Sequence, residues 1–336
     1  MLKSHLFLIL LVVSGFNGFA QQIVPGTSFT QFSLKSKKDT IDFVITGTDL
    51  TVKKPVFLFI QGSMPIPLFV SFPGQDPFPM ALGNFDLQNM HKHFHVVTIS
   101  MPKTPVLLDF SQVNSNYCYI PDTTRKNEIS DAFVMADHID NYVDRANKVL
   151  DFLSKQKWVD NSRLVVSGHS QGSRIVAQLV EKNRKITHAG LFGFSPLGRV
   201  HEQVWLNYKE FIQGNSSWED YEAKQNQQLE FQKLISADKG EDIGLIPWKS
   251  FTGIGFERLS KIKTPLYIAY GTEDKCAFVS ELIPLYFIEA GKTNYEMKRY
   301  NGLEHNYFPV VDGKPDYDNG KWAEVMNEFV AWSLKE

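Results

Sequence analysis

Residues 164–180 read LVVSGHSQGSRIVAQLV, and this stretch decides the fold. It opens as a short apolar strand and closes with Ile175, Val176, Leu179 and Val180 at helical spacing, so a strand turns directly into a helix. Gly168 and Gly172 sit at the junction, where the two elements crowd together and a side chain would collide. Ser170 lies between them, at the tip. A hydroxyl there stands clear of the backbone and beside the free amides of a helix N-terminus, the setting a nucleophilic serine needs. A serine that only caps an ordinary helix is the plainer alternative, and the strand before and helix after argue against it.

Outward from this turn, the runs PVFLFIQG (55–62), HVVTISM (95–101), THAGLFGFS (187–195) and PLYIAYGTED (265–274) are short and apolar and end in Gly, Ser or Asp. Such runs suit strands covered on both faces in a parallel sheet. FSLKSKK (32–38) and TIDFVITG (40–47) alternate polar and apolar residues and predict an antiparallel hairpin at the sheet's start. Apolar residues at three-to-four spacing predict helices over 128–153, 173–181 and 321–334. The alternation implies an α/β fold with a mainly parallel sheet flanked by helices. The interval 197–263 breaks it, being polar and aromatic together, and reads as a mostly helical cap insertion. Its tryptophans, among them Trp205 and Trp248, either pack or line a substrate pocket.

With the Ser170 turn and the segments AYGTEDKCAF (269–278) and YNGLEHNYF (300–308) in view, the chain resembles an α/β-hydrolase-fold serine hydrolase from about Phe32 to the C-terminus. In that family the nucleophile, acid and histidine follow in chain order, so the resemblance implies Asp274 as acid and His305 as base. Physical chemistry asks for the same partners: the hydroxyl needs an imidazole to take its proton, and the imidazole needs a carboxylate to fix its tautomer. Glu273, next in the chain, is the rival acid. The oxyanion hole is expected from the amides of Gln171 and Ser63, with Met64 the adjacent possibility. Gln61 stands where family members often carry His, which a backbone donor tolerates. The proline-rich loop MPIPLFVSFPGQDPFPM (64–80) and the cap suggest Met64, Trp205 and Trp248 as substrate-binding residues. Arg174 and Lys275 are either solvated or recognise an anionic end.

The resemblance implies cleavage of small-molecule esters through an acyl-enzyme on Ser170, with no metal and no organic cofactor. A peptidase, thioesterase or acyltransferase would use the same residues, and a non-catalytic binding protein could keep the fold. His91 to His95 (HKHFH) could bind a metal but suits a helix-to-strand junction better.

Composition sets the outer bounds. The 336 residues suffice for one large domain with an insertion, and a formal net charge of -2 with 21% charged residues gives no footprint for nucleic acid or an anionic membrane. The first twenty residues place Lys3 before the apolar run from Leu6 to Val13 and end in small residues. They read as a cleaved secretory signal peptide, too short to span a bilayer, with residues 21–336 as a secreted or periplasmic catalytic domain. Export would allow Cys118 and Cys276 to pair, and two separate buried thiols is the equal alternative.

Overall fold

A computed structural model of the chain describes residues 20–36, 39–47, 49–122, 124–125 and 128–335. The leader read from residues 1–20 therefore lies, apart from Ala20, outside the described residues. In chain order the strands are β1 (Ala20–Ile23), β2 (Thr30–Lys35), β3 (Thr40–Ile45), β4 (Lys54–Ile60), β5 (Phe69–Ser71), β6 (Phe78–Pro79), β7 (His95–Ile99), β8 (Leu107–Asp109), β9 (Val159–His169), β10 (His188–Phe192), β11 (Leu266–Gly271), β12 (Tyr295–Tyr300), β13 (Val310–Val311) and β14 (Lys314–Pro315). The helices are α1 (Leu87–His91), α2 (Asp131–Ala136), α3 (Ile139–Leu153), α4 (Gln171–Lys182), α5 (Arg199–Ile212), α6 (Trp218–Ala237), α7 (Ile246–Ser250), α8 (Phe256–Ser260), α9 (Ala277–Glu289) and α10 (Trp322–Ser333).

The main sheet has nine strands in the order β1-β2-β3-β7-β4-β9-β10-β11-β12. The first three run antiparallel, as the alternating sequence predicts, and the six from β7 to β12 are parallel. Why those strands lack alternation is visible in β4. Val56, Leu58 and Ile60 face one core with Ala146 and Val149 of α3 and Ile175 and Leu179 of α4. Phe57 and Phe59 face the other, with Val325, Met326 and Phe329 of α10. Burial of each such side chain contributes about 1.5–3 kcal/mol, so both faces must be apolar to hold helices against them.

Strand order reverses direction at β4: β7 joins it on one side and β9 on the other. A crevice opens at such a switch point beyond the carboxyl ends of the strands, and loops distant in sequence meet there. Six turns reach this edge, after β4, β7, β9, β10, β11 and β12.

One sequence expectation is revised. The helix read over 128–153 is two, α2 and α3, broken at Asp137 (φ -80°, ψ 65°) and restarted with His138 as N-cap. Its apolar spacing continues across the break, but the Asp137 carboxylate is turned inward to accept hydrogen bonds from Tyr142 and Gln171. That demand outweighs helical continuity. The interval between β10 and β11 carries α5, α6, α7 and α8 together with a short 3-10 turn at Ile243–Leu245, in line with a helical insertion. Cys118 and Cys276 are free thiols, both buried. The HKHFH stretch is a helix-to-strand junction: His91 ends α1, with Nε2 2.5 Å from Thr46 Oγ1, and His95 opens β7, with Nε2 within reach of the Val52 and Trp158 carbonyls. No helix among the described residues is long and apolar enough to cross a membrane.

Candidate active site

Ser170 is the one residue between β9 and α4. It holds φ 56° and ψ -119°, a region that costs a non-glycine residue on the order of 1–3 kcal/mol. The surroundings hold it there. Its amide donates to the Phe192 carbonyl of β10 at 2.9 Å, and its carbonyl accepts from Ser173 Oγ at 2.6 Å. Gly172 makes the turn possible: a Cβ at that position would lie 2.1 Å from the Ile60 carbonyl oxygen, so α4 approaches the end of β4 only because the side chain is missing.

His305 and Asp274 come from the loops after β12 and β11. His305 Nδ1 lies 2.8 Å from Asp274 Oδ2. Since a carboxylate only accepts, Nδ1 carries the proton and Nε2 is left as the basic nitrogen. Asp274 Oδ1 accepts from the Cys276 amide at 3.0 Å, so both carboxylate oxygens are engaged. Burial works against the Asp274 charge, and the bonds from His305 and Cys276 outweigh it, holding the carboxyl at about 2. Glu273, the rival acid, is exposed, and its amide donates to the Leu303 carbonyl.

The His305 loop is fixed from three sides. Glu304 Oε1 accepts the amides of Asn306 at 2.7 Å and Phe308 at 3.1 Å. Gly193, after β10, leaves room for the imidazole, since a Cβ there would fall 2.9 Å from His305 Cε1. His169 lies with Nε2 2.8 Å from the His305 carbonyl oxygen and its ring 4.7 Å from the His305 ring. Burial first, then the neighbouring imidazole, pushes His169 down to about 3, so it is neutral and its Nε2–H donates.

Gln171 and Ser63, the proposed oxyanion donors, line the same space as Ser170 and His305. Gln171 opens α4. The loop after β4 runs across the serine, a Cβ on Gly62 lying 3.7 Å from Ser170 Cβ. Ser63 follows Gly62, and neither its amide nor that of Gln171 is taken by a protein acceptor among the described residues. Gln61 shapes this loop: Nε2 donates to the Ile66 carbonyl at 3.0 Å, while the Ile66 amide returns to the Met64 carbonyl at 2.8 Å. Met64 takes φ 79° in that tight turn and is exposed.

Ser63, Ser170, Gln171 and His305 line one cavity of about 160 Å³, walled on the cap side by Trp248, Arg199, Glu202, Gln203 and Leu206. Of the suggested substrate-binding residues, Trp248 faces this cavity, whereas Trp205 stacks flat on Phe278 at 4.4 Å. Sequence reading missed Arg199 and Asp137. Asp137 accepts from Gln171 Nε2 at 2.8 Å, and Arg199 donates to Gln171 Oε1, so a buried chain of polar groups fixes the residue after the serine. No local pattern marks either residue.

Asp274, Cys276 and His305 also place ligand-type atoms within 4.8 Å of one another. Their chemistry does not fit a metal, because Asp274 and His305 already share a hydrogen bond. Burial, with the adjacent Asp274 charge, raises the Cys276 thiol well above its ordinary range.

No protein-family model and no curated protein matches the chain in sequence. Solved structures do match in shape. One is the acylaminoacyl peptidase of Pyrococcus horikoshii, at 14% identity and TM-score 0.53, covering 96% of this chain and 43% of the peptidase. Another is acetyl xylan esterase 1 of Thermoanaerobacterium sp. JW/SL YS485, at 13% identity and TM-score 0.51, covering 95% of this chain and 88% of the esterase. The chain thus spans less than half the length of the peptidase. At these identities the likeness is one of architecture, and the chain has the α/β-hydrolase fold.

Proposed function

We propose that the chain is a serine hydrolase cleaving small carboxylic esters through an acyl-enzyme on Ser170. One observation carries this reading: a strained serine at a strand-to-helix turn shares a cavity with an imidazole whose far nitrogen is held by a buried carboxylate. In the forward step, His305 Nε2 takes the Ser170 proton as Oγ attacks the carbonyl carbon, and Asp274 stabilises the imidazolium that forms. The amides of Gln171 and Ser63 hold the tetrahedral oxyanion. His305 then protonates the departing alcohol, and water repeats the sequence to release the acid.

The cavity supports a small substrate, since 160 Å³ is below the usual range for drug-sized ligands. The leader read from the first twenty residues supports export from the cytoplasm.

The test is Ser170→Ala against a panel of short acyl esters and aminoacyl amides, with fluorophosphonate labelling of both proteins. Wild-type enzyme should hydrolyse esters and carry one adduct per chain at Ser170, and the variant should do neither. Full activity in the variant overturns the mechanism. Amide turnover far above ester turnover replaces the esterase by a peptidase.

A further inference from the structure

The side chains that line the catalytic cavity carry more positive than negative charge. Arg174, Arg199 and Lys275 line it as cations, and Glu202 is the one carboxylate among its lining residues. Arg174 is buried, pairs with Glu202 and reaches the Phe251 carbonyl, so these two charges are spent on each other. Arg199 and Lys275 remain, and neither forms an ion pair with a carboxylate among the described residues.

Arg199 is held in place without a direct ion pair among the described residues. Its guanidinium donates to Gln171 Oε1, lies 4.6 Å from the centre of the Phe251 ring and 6.0 Å from that of Trp248. Asp137 and Glu202 act on its charge from nearby, but neither contacts it in an ion pair. An arginine fixed by an amide and two aromatic faces keeps donors free to fork onto a planar anion. Lys275 follows Asp274 directly and is half-buried on the acid-loop side of the cavity. A partly desolvated wall that presents two cations without ion-pair partners of their own favours an anion in the cavity.

We propose that the cavity selects esters carrying a carboxylate a few bonds from the scissile carbonyl, with Arg199 and Lys275 binding that carboxylate. The inference rests on the assignment of Ser170 as nucleophile. A cavity of about 160 Å³ suits a short ester, so the anion is expected within a few bonds of the carbonyl.

The experiment compares two anionic esters with neutral counterparts: monomethyl glutarate against methyl pentanoate, and 4-acetoxybutyrate against butyl acetate. The first pair places the charge on the acyl side, the second on the alcohol side. For at least one pair, kcat/KM should favour the anion by about tenfold or more, with the preference shrinking at high salt. Arg199→Gln and Lys275→Gln should each cut that ratio severalfold. A second readout needs no turnover: Ser170→Ala should bind the favoured anionic ester more tightly than its neutral counterpart by calorimetry, and lose that advantage when either cation is also replaced. Equal handling of anionic and neutral esters in both pairs, or tighter binding of the neutral ones, overturns the proposal while leaving the serine mechanism intact. Missing turnover and missing fluorophosphonate adduct would instead fail the mechanism, and the binding comparison would still decide the anion site.

Discussion

His169 Nε2 stands 2.8 Å from the backbone oxygen of His305, so the residue before the proposed nucleophile holds the loop that presents the proposed base. The contact joins the ends of β9 and β12, strands separated in the sheet by β10 and β11. His169 is a positioning residue. Replacing it by Leu removes the donor and frees the loop, and a misplacement of about 1 Å in such a site lowers rate by about a hundredfold. His169→Leu should therefore lose about 10- to 100-fold in kcat with little change in KM, and label slowly with a fluorophosphonate. His169→Gln, which keeps an amide donor, should recover part of that loss. Equal activity in all three proteins would show that the His305 loop needs no such support.

The same burial gives a pH signature. Folding lowers His169 from 6.5 to about 3, so the unfolded chain binds a proton that the native state refuses. Stability from keeping this ring neutral is complete above pH 6.5 and is lost as pH falls toward 3, at up to about 1.4 kcal/mol per pH unit. Asp274, lowered from 3.8 to about 2, acts in a lower window, its contribution being lost only as pH falls below 3.8. His91, His95 and His188 are lowered too, chiefly by burial, and share the upper window. Urea unfolding of wild type and His169→Gln between pH 7 and pH 4 separates them: the variant's stability should fall less steeply, by about one proton. Parallel curves would mean that His169 takes up a proton as readily folded as unfolded.

The Asp274 carboxylate fixes which nitrogen of His305 carries the proton. Asparagine at that position can present its NH₂ to Nδ1 and trap the wrong tautomer, so Asp274→Asn should reduce kcat by roughly 10³- to 10⁴-fold with fold and KM retained. Glu273 is exposed, and Glu273→Gln should stay within about twofold of wild type. Comparable losses in the two variants would move the acid's role off Asp274 alone.

How far the sequence reveals this site depends on the range of each interaction. The turn at Ser170 is local: two glycines and a serine between a strand and a helix specify it, and the parallel sheet then brings residues 274 and 305 to the same edge. Arg199, Asp137 and His169 owe their roles to partners 28, 34 and 136 positions away, and nothing in their own neighbourhoods marks them. The expected helix over 128–153 fails for the same reason. Its periodicity reports burial against the sheet, whereas the break at Asp137 answers to Gln171, which a periodicity cannot see.

That break supplies a separable test. Asp137 is buried and accepts from both Tyr142 and Gln171, so Asp137→Ala leaves a hydroxyl and an amide without their acceptor, at about 1–3 kcal/mol for each buried group that water cannot reach. Asp137→Asn keeps an oxygen toward the same donors and removes only the charge. The alanine variant should melt several degrees lower than the asparagine variant. Because Gln171 is then held by Arg199 alone, its backbone amide should drift from the serine, and kcat should fall while substrate still binds. In Asp137→Asn the Gln171 contact survives and kcat should stay closer to wild type. If the two variants lose activity equally, the charge of Asp137 matters more than its place in the hydrogen-bonded chain. If neither loses any, the side chain of Gln171 does not govern its amide.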